Sequence, residues 1–98
     1  MSAKVVRDGK VAVLVSPGYG AGWSTWGTEE ACFWPEWVTW VEAGKPEDAM
    51  PSAPEGFYTG GADQLEIEWV PEGQGFRINE YDGSESLELE EGYRWTRA

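Results

Sequence analysis

The stretch "KVVRDGKVAVLV", residues 4–15, decides the fold. Asp8-Gly9 is the favoured two-residue hairpin turn, because both central positions adopt positive φ. Val5 precedes the turn. After it, Val11, Val13 and Val15 point to one face, and Ala12 and Leu14 to the other. A strand apolar on both faces belongs in the middle of its sheet, with something packed on each side.

Working outward, the eleven residues "SPGYGAGWSTW" (16–26) form a glycine-rich loop far longer than a connecting turn. A short helix is predicted from Pro35 to Ala43. Proline suits its first turn, and Trp34, Trp37, Val38 and Val41 recur on one face. Gly44 and then Pro46 stop it. "KPEDAMPSAPEGFYTGGAD" (45–63), with three prolines and three glycines, reads as a surface connection of unusual length. The remainder alternates as an antiparallel meander. Leu65, Ile67 and Trp69 point inward, and Glu66 and Glu68 outward. Phe76 and Ile78 oppose Arg77, Asn79 and Tyr81. Asp82-Gly83 repeats the hairpin signal, Leu87 and Leu89 carry the next strand, and "GYRWTRA" reads as a last short one. The expectation is an α+β fold, a single domain over residues 1–98. One antiparallel sheet of about five strands carries two Asp-Gly hairpins and one short helix on its face. Trp34, Trp37 and Trp69 are expected to meet the valines of the second strand.

Composition narrows the function. A chain of 98 residues hides roughly 60–70% of its unfolded surface, enough for one core without a deep cleft. A sizeable site therefore points to a homodimer. Eighteen acids against seven bases give a net charge of −11, which repels nucleic acid and anionic membrane and favours basic partners. Aromatic residues make up 14% of the chain, unlike a disordered acidic segment. One cysteine, Cys32, excludes an internal disulfide and a thiolate metal cluster, as expected of the cytoplasm. The N-terminus has no apolar signal region, and no run reaches a membrane span. Histidine is absent, which removes the commonest general base and zinc ligand. The reading is therefore not an enzyme, with no cofactor and no metal.

Two readings of the glycine loop stand side by side. In one, backbone N–H groups of the loop at Gly18, Gly20 and Gly22 form a nest for an anion. Tyr19, Trp23 and Trp26 stack on a ring, Ser16, Ser24 and Thr25 add hydroxyl donors, and Arg77 or Arg94 neutralises charge. "GYGAG" is neither a phosphate-binding Walker loop nor a dinucleotide fingerprint. In the other, the loop is a turn whose aromatics plug the core. Arg94, beside Tyr93 and Trp95, offers a phosphate or base clamp, but taken singly such a residue more often pairs with a neighbouring surface glutamate.

Residues 63–91 contain ten acids and one base, Arg77. Glu66, Glu68, Glu88 and Glu90 occupy outward strand positions. On neighbouring strands they make a regular negative face, either a mimic of DNA phosphates or a solvated surface that resists edge aggregation. No calcium-loop spacing or carboxylate pair stands out. Cys32 reads as a small buried hydrophobe.

"VAVLVSPGYGAGWSTW" and "GGADQLEIEWVPEGQGFRINEYDGSES" together resemble a family of small, largely uncharacterised proteins encoded in bacteriophage and prophage genomes. The resemblance covers most of the chain. It implies a phage protein made in the host bacterial cytoplasm, and by analogy one that counters host defence. The expectation is a binding protein that sequesters a small nucleotide-type immune signal. The alternatives are an acidic DNA mimic on a host nuclease or CRISPR complex, and a structural or regulatory phage protein without a ligand.

Overall fold

The computed structural model describes residues 4–18 and 22–89. Within them the chain is α+β. Its strands are β1 (Val6–Arg7), β2 (Lys10–Val15), β3 (Glu66–Pro71), β4 (Phe76–Tyr81) and β5 (Ser84–Leu89), and its α-helix is α1 (Pro35–Glu42). Short 3₁₀ turns cover Glu29–Phe33, Glu47–Ala49 and Ala62–Gln64. The expected strand at "GYRWTRA" lies outside the described residues.

Both Asp-Gly hairpins form. Asp8 and Gly9 take φ of 53° and 76°, and Asp82 and Gly83 take 53° and 86°. These left-handed pairs match the twist of the flanking strands.

The strands make two antiparallel sheets, ordered β1-β2-β3 and β4-β5, where the sequence reading expects one. The reason is β2. Its two edges are taken by β1 and β3, with β3 running beside it from Lys10↔Pro71 to Val15↔Glu66. Both of its faces are apolar, so each must also be covered. The chain after β3 therefore leaves the sheet, and the β4-β5 hairpin packs on the valine face instead of extending a meander.

The central position of β2 is as expected: Val11 through Val15 are all at most 3% exposed. Ala12 and Leu14 face Trp23, Trp34, Trp37, Trp40 and Leu65. Val11, Val13 and Val15 face Cys32, Val70 and Phe76, with Phe33, Ile78 and Leu87 at the margin. Trp34 and Trp37 thus meet the Ala12–Leu14 face rather than the valines. Trp69 stays 36% exposed, with the Arg7 guanidinium 5.6 Å from its ring centre.

Helix α1 begins at Pro35, where no N–H is needed. It closes in a Schellman motif: Gly44 N–H donates to the Val41 carbonyl at 3.1 Å and Lys45 N–H to that of Trp40 at 3.0 Å. Its buried face includes Trp40, whose indole N–H donates to the Pro46 carbonyl at 2.8 Å. No described helix is long and apolar enough to cross a membrane.

Because β2 is core on both faces, truncation on either side is expected to destabilise. Leu14→Ala should cost about 2–5 kcal/mol by loss of transfer energy and by cavity formation. Val13→Ala should cost at least about 1.5 kcal/mol, at about 0.8 kcal/mol per methylene. Urea denaturation measures both. A near-neutral result at Val13 would mean that the β4-β5 hairpin does not seal that face.

Candidate functional site

The second hairpin explains the glycine loop. On β5, Glu85 is in phase with Leu87, so its side chain turns inward where Val15 ends. It is only 1% exposed. Its Oε1 accepts the Ser16 N–H at 2.9 Å. Its Oε2 accepts the Trp23 N–H at 2.7 Å, the Thr25 N–H at 3.0 Å and the Thr25 hydroxyl at 2.5 Å. Four donors match the capacity of one carboxylate. The Glu85 N–H donates to the Ser16 carbonyl at 2.8 Å, and the Ser84 hydroxyl to that of Pro17 at 2.7 Å. The loop is thus a cradle of N–H groups around an anion, and that anion belongs to the chain itself.

Trp23 is held from both ends. Its backbone is on Glu85, and its indole N–H donates to the Ala31 carbonyl at 3.0 Å. The ring is fully buried, with edge contacts to Trp37 at 4.9 Å, Phe57 at 4.8 Å and Trp34 at 6.2 Å. Phe57 comes from the long connection, which therefore contributes to the core.

The residues expected to bind a ligand are placed as follows. Ser16 is fully buried, with its N–H on Glu85 and its hydroxyl on the Gly61 carbonyl at 3.3 Å. Trp23 serves the core and cannot stack on a guest. Ser24 and Gly22 are buried, and Gly18 is half-buried against Gln64. Trp26 alone among the described loop aromatics stays outside, 46% exposed. Its indole N–H donates to Glu80 Oε2 at 3.2 Å. Tyr19, Gly20 and Arg94 lie outside the described residues.

Arg77 lies on the outer face of the hairpin, paired with Glu88 at 3.2 Å. Asn79 donates to the same Glu88 oxygen at 2.9 Å. The Asn79 amide, and then the Arg77 guanidinium, hold the Glu88 carboxyl below its usual value. Glu66 and Glu68 are exposed on β3, in the other sheet. The expected row of glutamates on neighbouring strands is therefore not present, because β3 pairs with β2 and β5 with β4. Glu90 lies outside the described residues.

Arg77 and Ser24 do share a cavity of about 270 Å³, with Thr25, Glu29, Cys32, Phe33, Phe76 and Ile78. It falls just below the usual ligand-pocket range of roughly 300–1,000 Å³. At its wall, burial and then the nearby Glu29 push the Cys32 thiol up to about 12.

The inward position of Glu85 was available in the sequence. "SESLELEE" alternates, and the phase that turns Leu87 inward also turns Glu85 inward, while Leu89 at the strand end stays exposed. What the alternation does not contain is the four donors, which lie about sixty and seventy residues earlier.

No protein-family model, curated protein or solved structure matches the chain.

Two outcomes follow from this geometry. Glu85→Ala strands three backbone N–H groups and should cost at least about 3 kcal/mol in chemical denaturation, at roughly 1–3 kcal/mol per buried orphan. Glu85→Gln should lie between that variant and wild type, because an amide can accept at only one of its two ends. A loss under about 1 kcal/mol in the alanine variant would refute the anchoring role. For Cys32, a thiol with a pKa of about 12 stays protonated at pH 8. Iodoacetamide should label it at least about a hundredfold more slowly in the folded protein than in urea. Equal rates would show that the thiol is exposed.

Proposed function

We propose that this chain is a non-enzymatic binding protein whose acidic surface docks on a cationic, nucleic-acid-binding surface of another protein. The carrying observation is the sorting of its carboxylates. Sixteen acidic side chains fall within the described residues, and all but Glu85 are exposed. The described bases are Lys4, Arg7, Lys10, Lys45 and Arg77, five against those fifteen. Ion pairs tie Arg7 to Glu42 and Arg77 to Glu88. The excess spreads over both sheets and the connecting turns. Such a field speeds encounter with a cationic partner and excludes anionic ones. A surface that holds nucleic acid by its phosphates is the cationic surface it fits.

This reading is preferred to sequestration of a nucleotide by the glycine loop. Glu85 engages the N–H groups of Ser16, Trp23 and Thr25 at the two ends of that loop, and Trp23, one of the rings expected to stack on a guest, is fully buried. The phage resemblance supplies the partner class: a nuclease or CRISPR complex of the host, met in the bacterial cytoplasm.

The experiment is displacement of labelled DNA from a panel of purified bacterial nucleases and CRISPR effector complexes. The wild-type protein should displace DNA from at least one of them, with a midpoint that rises steeply as salt increases. A Glu66→Lys, Glu68→Lys, Glu88→Lys variant should need at least about tenfold more protein, because reversing buried-interface charges commonly costs more than about 1.4 kcal/mol. Displacement from none of the panel, or full potency in a folded triple variant, would contradict the proposal.

A further inference from the structure

Two large rings stand outside the core in a fixed arrangement. Trp26 is 46% exposed and Tyr58 57% exposed. Their ring centres are 6.3 Å apart with planes inclined by 28°. Each ring is seated on a glycine. A Cβ at Gly22 would come within 2.8 Å of Trp26 Cδ1, and one at Gly60 within 2.3 Å of the Tyr58 ring. A side chain at either position would push its ring away. Glycine at each position thus leaves room for its ring to lie close against the backbone.

Beside them is a positioned carboxylate. Glu80 Oε2 accepts the Gly83 N–H at 2.7 Å and the Trp26 indole N–H at 3.2 Å. Among the described residues Oε1 has no partner. The Gly83 amide, and then the Trp26 indole, hold this carboxyl below its ordinary value. Elsewhere on the chain a cation lies over a ring: Arg7 over Trp69, and Lys4 4.6 Å from the centre of Phe33. Trp26 and Tyr58 instead have a carboxylate at their flank.

We propose that Trp26, Tyr58 and Glu80 form a recognition site for an arginine side chain of a cationic partner protein. The guanidinium plane lies on the exposed ring faces while one of its N–H groups donates to Glu80 Oε1. Arginine fits better than lysine, because its planar, weakly hydrated cation stacks on aromatic rings and keeps donors at its edge. The site rests on the acidic-docking reading and gives that surface an anchor. Aromatic side chains at a partly desolvated centre carry much of the energy of such interfaces.

The test uses octa-arginine and octa-lysine peptides of equal charge, titrated calorimetrically into the full-length protein at physiological salt. Wild type should bind octa-arginine at least about fivefold more tightly than octa-lysine. Trp26→Ala combined with Tyr58→Ala should abolish that preference and leave octa-lysine affinity unchanged. Glu80→Gln should weaken octa-arginine more than octa-lysine. Equal affinities in wild type would overturn the arginine site while acidic docking stands. No binding of either peptide would overturn both. Should the double variant fail to fold, wild type decides by NMR. The Trp26 indole N–H resonance should shift with octa-arginine more than with octa-lysine, and an equal or absent shift overturns the site.

Discussion

The structure depends on one buried carboxylate. Glu85 sits in the core margin, and what faces it is three backbone N–H groups and a hydroxyl. Burying an uncompensated carboxylate costs many kcal/mol, so its donors must be present and correctly placed. That requirement works in both directions. The loop supplies the dipoles that make Glu85 tolerable, and Glu85 satisfies amides that a glycine-rich loop would otherwise leave open. Residues 16 and 85 are also joined through their own backbones, so the contact closes a loop between residues 69 positions apart in the 98-residue chain.

Fixing the loop there sorts its aromatic side chains. Trp23 follows its anchored amide into the cluster of Trp34, Trp37 and Phe57. Trp26, one residue past the anchored Thr25, points outward to Tyr58 and Glu80. Phe57 and Tyr58 are neighbours in the long connection, yet one seals the core and the other stays on the surface. One anchor therefore both completes the core on the helix side and leaves a paired aromatic surface on the outside.

Much of the fold was legible in the residues because it rests on local rules. The two Asp-Gly turns, the double-sided β2, the proline start of α1 and its glycine stop all act over a few positions. What was not legible depends on contacts between distant segments. Nothing in the alternation of β3 says that it pairs with β2 rather than with β4, so one sheet was expected where two form. That split also separates Glu66 and Glu68 from Glu88. In the loop, the amides that meet Glu85 are those of Ser16, Trp23 and Thr25, and no local rule singles them out. Glu85 carried the inward phase of Leu87, and a carboxylate in that phase is the kind of exception that marks a buried polar anchor. Trp26 and Tyr58 are separated by 32 residues and meet only after the connection folds back.

With the Ser16, Trp23 and Thr25 amides held by Glu85, the described residues present to solvent a broad excess of carboxylates and a few exposed rings. That is the surface on which the proposed docking to a cationic partner rests. The central claim is that the glycine loop is closed by Glu85. Through-hydrogen-bond scalar couplings in an isotope-labelled sample measure it most directly. Couplings are expected from the amide nitrogens of Ser16, Trp23 and Thr25 to the Glu85 side-chain carboxylate carbon. Absence of those couplings, with the same three amides exchanging rapidly with water, would contradict it.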